Sequence, residues 1–400
     1  MLRSTKIKNI ISSKIDISET NKDNLKHNIY NALNKAKPGE PKNISDIDIC
    51  DNNFVDSEGE NIVIYKDLNI LFLSKKELAK IAFINNNDIF LDATFKVCNK
   101  LFSQLLIIRV YNDNFKEYFT IAFIYMTNKS ELLYKRALLS FKSFIIDNNI
   151  IPPNTIIFKR AHIDMEIALA NAIKSTFDNC EIKFCYFHYA KSFNRRINNE
   201  AYSNLFANNY RAKELIYSLK ALSFIRTEFV LSVFYNLEEE AQILNNQLIN
   251  EFYDYFKKEY INLLDYNSWN YYKEKQHLTN NACEAYHNQL NIIIGMKKPH
   301  LWFSVNIIKN QLILFKNKYY SLIANNGPNN NISNGIVTKI LNIINYNEVQ
   351  FNNLRLNYEH DILYFNAPII IDEQIGIDLA TYEIYNNYWV DKAKLLSKYM

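Results

Sequence analysis

From residue 89 the chain alternates. In IFLDATFKV, Ile89, Leu91, Ala93, Phe95 and Val97 fall on one face of an extended strand, and Phe90, Asp92, Thr94 and Lys96 fall on the other. SQLLIIRVY and YFTIAFIYM predict two more strands. The connections CNKLF and NDNFKE are short enough for antiparallel neighbours. The period then becomes helical in NKSELLYKRALLSFKSFIIDNN, with Ser130 or Asn128 available as cap. PPNTIIFKRA predicts a short fourth strand ending near His162, and DMEIALANAIKSTF an amphipathic helix. EIKFCYF predicts a fifth strand, and HYAKSFNRRI opens another helix. Residues 205–278 are helical in pattern and rich in aromatics, and TNNACEAYHNQLNIII is a further amphipathic helix.

Three strands as a meander, followed by helix, strand, helix, strand and helix, is the order of a ribonuclease-H-like fold. The expectation is therefore an α/β (α+β) protein: a mixed five-stranded sheet flanked by helices and interrupted by an all-helical insertion. Residues 1–60, with the linker-like KAKPGEPKN, form an arm or small helical module. The first part of the core spans 61–204, the insertion 205–278, and a helix closing the core 279–310. Residues 311–400 show only scattered short apolar runs.

Composition narrows this picture slightly. The apolar content of 48% and charged content of 22% fit a globular chain rather than a disordered one. Ile, Asn, Lys, Tyr and Phe, all residues of A/T-rich codons, are abundant, so most of the 28 tyrosines are read as packing residues. A net charge of +4 permits nucleic-acid binding without requiring it. The five cysteines form no C-x-x-C pair, and their odd number disfavours a disulfide framework, which points to a reducing compartment. No run approaches the roughly 18 apolar residues of a membrane span, and MLRSTKIKNI is not a hydrophobic leader. The expectation is an intracellular protein with no membrane partner.

Asp92 stands in the middle of the first strand and Asp164 just past the end of the fourth. In a ribonuclease-H-like sheet those two strands are neighbours, so both carboxylates enter one space. Like charges about 4 Å apart repel by ~4 kcal/mol at an effective dielectric near 20. Divalent Mg²⁺ or Mn²⁺, which prefer hard oxygen ligands, would remove that penalty. Blander readings stand beside this one. Asp92 could lie on a solvated polar face, Asp164 could be a helix cap, and Asn281 with Glu284 could form a capping box.

FLDATFKVCNKLFSQLLIIRV, FKRAHIDMEIALANAI, IKFCYFHYAKSFNRRI and LTNNACEAYHNQLN occur in that order. Together they resemble motifs of the Mutator-like element (MULE) transposases, over about residues 60 to 310. The resemblance implies Glu284 as the third acid of an Asp92, Asp164, Glu284 catalytic and metal-binding triad holding two Mg²⁺ or Mn²⁺ ions. It also implies double-stranded DNA, as terminal repeats and target, for substrate. The implied reaction is strand cleavage followed by strand transfer, in the nucleus, by a homo-oligomer. Glu284, His287, Asn288 and Asn291 have the spacing of one helix face. Cys185, His188 and Asn281 would support the site. With Cys180 nearby, Cys185 and His188 still lack a fourth ligand, so zinc is not expected. Lys191, Arg195 and Arg196, on the first turns of one helix, and Lys297 and Lys298 are candidate phosphate contacts, the alternative being a solvated face. Trp269 is a candidate for stacking on an unpaired base, the alternative being a core position. Two features depart from the pattern: Ala285 and Tyr286 follow the Glu, and residues 1–60 hold no Cys/His zinc module. A domesticated DNA-binding copy and a structure-selective nuclease are the rival readings.

Overall fold

A computed structural model describes residues 39–83, 88–151, 157–274, 277–324, 389–394 and 396–397. Strands β1 (Val63–Lys66) and β2 (Ile70–Ser74) lead into helix α1 (Lys76–Ile81). The meander follows as β3 (Asp88–Thr94), β4 (Gln104–Asn112) and β5 (Glu117–Met126). Then come α2 (Glu131–Asp147), β6 (Arg160–Ile163), α3 (Ile167–Thr176), β7 (Glu181–Phe184) and α4 (Tyr186–Ile197). The sheet has seven strands rather than the expected five, in the order β1-β2-β5-β4-β3-β6-β7. The five expected strands are present as a contiguous block with the fourth beside the first. Here β6 runs parallel to β3, and β7 parallel to β6. The extra antiparallel pair, β1 and β2, extends the far edge of β5. Its sequence, VIYK then ILFLS, is too short to signal strands by periodicity.

Strands β4 and β5 are buried almost throughout, as continuous apolar runs require when helices cover both faces. On one face lie α2 and α3. Ser130 caps α2 by accepting the Leu133 N–H at 3.3 Å, and Leu133, Tyr134, Ala137, Leu138, Phe141 and Ile145 turn inward. The fourth strand starts later than its apolar run suggested, because Phe158 packs against Phe141 and Phe177 as part of the core. On the opposite face lie α10 (Asn281–Ile294) and α11 (Leu301–Ala324), which runs continuously through residue 310. Phe54, in a short 3-10 turn before β1, meets Trp302 edge-on.

Between α4 and α10 come α5 (Glu200–Asn208), α6 (Tyr210–Ala221), α7 (Val230–Leu244), α8 (Gln247–Phe256) and the short α9 (Tyr266–Trp269). Their centre is aromatic. Trp269 is fully buried, stacks on Tyr189 at 5.7 Å, and donates its indole N–H to the Tyr260 carbonyl at 2.9 Å. Its assignment as a DNA-stacking residue is therefore corrected: no face of the ring reaches solvent. Among the described residues no helix is long and apolar enough to cross a membrane.

Candidate active site

The strand face that carries Asp92 is not solvated. Phe90 is completely buried and Asp92 only 9% exposed, because α10 and the segment leading into it lie across β3. On that face Asp88, Phe90 and Asp92 of β3 stand beside Arg160 and His162 of β6, with Leu91 paired to Ile163. Asp164 follows Ile163 directly, so the register sets it next to Asp92. It is not a helix cap, since Glu166 occupies that position for α3.

Helix α10 brings the third acid. Asn280, not Asn281, is its N-cap, with no side-chain cap bond, so the capping-box reading of Asn281 and Glu284 does not hold. Two features fix the helix entry. The Asn280 N–H donates to Cys185 Sγ at 3.1 Å, and the buried Arg109 guanidinium of β4 donates to the Ala282 carbonyl. Arg109 is flanked by the rings of Tyr286 (4.8 Å) and Tyr118 (5.3 Å), so Tyr286 supplies a packing partner.

One histidine bridges two of the acids and a second meets the other. His188 on α4 lies with Nδ1 3.0 Å from Asp164 Oδ1 and Nε2 3.8 Å from Glu284 Oε1. His287, one turn beyond Glu284, lies with Nδ1 3.3 Å from Asp92 Oδ2. Burial first, then the charge of Asp164, with Glu284 adding, pushes the Asp92 carboxyl up to about 8. Asp164 first and Cys185 second push His188 up to about 10, whereas burial holds His287 down at about 4. A crowded acid cluster is thus relieved by protons on Asp92 and His188.

The donor set fits a hard dication. Asp164 and Glu284 both raise the proton affinity of the buried Asp92, and the three carboxylates together offer the oxygen ligands such an ion prefers. Among the described residues, the set with donor atoms all within 4.8 Å of one another that includes one of these acids is Asp164, Cys185 and His188, and there Cys185 Sγ already accepts the Asn280 N–H.

A cleft of about 470 Å³ opens at Asp164, lined also by Glu166, His188, Lys129, Lys191 and Arg195. Lys191 and Arg195 are exposed and sit in the middle and last turns of α4, not its first turns, because that helix begins at Tyr186 and ends at Ile197. Arg196 lies instead over the Tyr255 ring, 4.9 Å away. Lys297 and Lys298 are exposed after α10, and the Lys298 N–H reaches the Lys96 carbonyl beyond β3 at 3.4 Å. Asn281 is half-buried and Asn288 exposed on α10.

Sequence reasoning missed Arg109, whose signal is a lone charge inside an apolar strand. It also missed Glu166, whose carboxylate accepts the Tyr134 hydroxyl at 2.9 Å. Lys129 went unnoticed as well, since a cation in a turn carries no pattern. No curated protein matches the chain. Residues 89–192 match the family model of the MULE transposase domain, a span running from β3 into α4 that contains Asp92, Asp164, Cys185 and His188. Such a domain implies a DNA-processing enzyme that binds DNA and uses divalent metal. The chain carries a MULE transposase domain at residues 89–192.

Proposed function

We propose that the protein is a DDE-type transposase that cleaves DNA at element ends and joins the freed 3′-hydroxyl to target DNA. One observation carries the reading: Asp92, Asp164 and Glu284, from three distant parts of the chain, meet at one site, with His188 against Asp164 and Glu284 and His287 against Asp92. The three carboxylates would hold Mg²⁺ or Mn²⁺, which when bound activates water or a 3′-hydroxyl and stabilises the leaving oxygen. His188 orients Asp164 and Glu284, and His287 holds the buried Asp92. Lys191 and Arg195 grip backbone phosphates beside the reacting one, contacts that position the strand without reading its sequence. Nuclear residence and an assembly of at least two copies go with this reading, because two ends must be brought together.

The test is a plasmid carrying the DNA that flanks this reading frame, incubated with the full chain and Mn²⁺. Cleaved and joined products are expected, and both should vanish in Asp92→Asn, Asp164→Asn and Glu284→Gln with folding retained. Cleavage without joining would make the protein a nuclease on the same fold. Products undiminished in all three variants would refute the assignment.

A further inference from the structure

Beside the acid cluster stand two large apolar side chains in solvent. Phe95 directly follows β3, three residues past Asp92, and is 48% exposed; Phe187 directly precedes His188 and is 39% exposed. Both carry a cation. Lys129 Nζ lies 4.2 Å from the centre of the Phe95 ring, and Lys191 Nζ lies 5.8 Å from that of Phe187. Lys129 and Lys191 also line the cleft that contains Asp164. Neither lysine forms a salt bridge among the described residues, nor do Lys96, Arg195, Lys297 or Lys298.

An exposed phenylalanine gains nothing from water, and two of them, each under a lysine that lines a charged cleft, call for a ligand with a flat apolar face next to negative charge. Unpaired nucleotides have that chemistry: the base stacks on the ring while the lysine meets its phosphate. In an intact duplex the base faces are covered by their neighbours. We propose that Phe95 and Phe187 are stacking platforms for unpaired bases near the cleaved phosphate, so that the site takes DNA locally opened at the cut. The inference rests on the transposase reading for the chemistry at the acids, and adds the form of the substrate.

Binding separates the two. The full-length protein is titrated, by fluorescence anisotropy in Ca²⁺, against a mixed-sequence duplex and against the same duplex with a few central nucleotides unpaired. Wild type is expected to favour the opened DNA at least about fivefold, the lower end of what stacking one base contributes. Phe95→Ala and Phe187→Ala should each shrink that preference, and the double variant should abolish it while duplex affinity changes less than twofold. Phe95→Trp and Phe187→Trp should restore it. Lys191→Ala should weaken both DNAs alike. Equal affinity for both DNAs in wild type, no binding to either, or equal loss on both in the Phe variants would overturn the proposal. Asp92→Asn should keep the preference, so a failed cleavage assay with the preference intact would sink the catalytic reading alone.

Discussion

Asp92→Asn is expected to stabilise the metal-free protein, by an amount that grows with pH. In the unfolded chain the carboxyl titrates at its ordinary 3.8; in the fold, burial and then Asp164 and Glu284 push it up to about 8. The folded protein therefore holds a proton that the unfolded chain has released. Stability linked to this group is full below pH 3.8 and is lost as pH rises towards 8. At 1.36 kcal/mol per pKa unit, the span from the ordinary value to neutral pH is worth ~4 kcal/mol as a ceiling. Relaxation and water entry around a coupled cluster leave ~2 kcal/mol of this. Asn is isosteric and does not titrate, so the variant escapes the loss. At about 2 °C per kcal/mol, its thermal midpoint in EDTA at pH 8 should exceed wild type by ~4 °C. The gain should shrink steadily as the buffer is taken towards pH 4. Adding Mn²⁺ should reverse the order, since an ion that binds only the wild-type fold stabilises only that fold. A variant that melts with or below wild type at pH 8, or a gain indifferent to pH, would refute the electrostatic coupling of the three acids.

Asp88 should behave in the opposite sense. It is buried against Arg160 (2.6 Å) and His162 (3.3 Å), and although burial raises its carboxyl, His162 and Arg160 outweigh that and hold it below the usual range. Asp88→Ala should cost ~3–5 kcal/mol near neutrality by leaving Arg160 short of a buried partner, and the deficit seen in thermal melts should fade as acid protonates Asp88 in wild type. Trp269→Ala should lower stability by ~3–5 kcal/mol while leaving the DNA affinity of the folded fraction unchanged in anisotropy titrations. Replacing Lys191 and Arg195 together by Ala should weaken duplex binding and flatten the plot of log affinity against log salt by ~2.

The sheet was legible because its strands are apolar runs of a length and spacing that few other structures share. Asp92 and Asp164 were legible because each interrupts or ends such a run. What periodicity could not give is the depth of a face: Phe90, Asp92 and Thr94 alternate like a solvated edge, yet all three are buried because α10 crosses them. Only a contact between residues far apart in the chain decides that, and no local window contains it. Trp269 failed for the same reason, since its partners Tyr189 and Tyr260 come from other helices. Strands β1 and β2 escaped because four or five residues carry too few alternations to be told from a loop. Arg109 escaped because a cation in a strand reads as a solvent-facing charge, whereas this one fastens the entry of the Glu284 helix.

Crystals of the full chain grown without DNA and soaked in MnCl₂ put the question to the acids directly, through the anomalous signal of manganese. The expected map has its strongest peak among the carboxylate oxygens of Asp92, Asp164 and Glu284, with His188 turned away from the ion. A peak held by Asp164, Cys185 and His188 with Asp92 and Glu284 left out, or no peak at the cluster at all, would contradict a shared metal site.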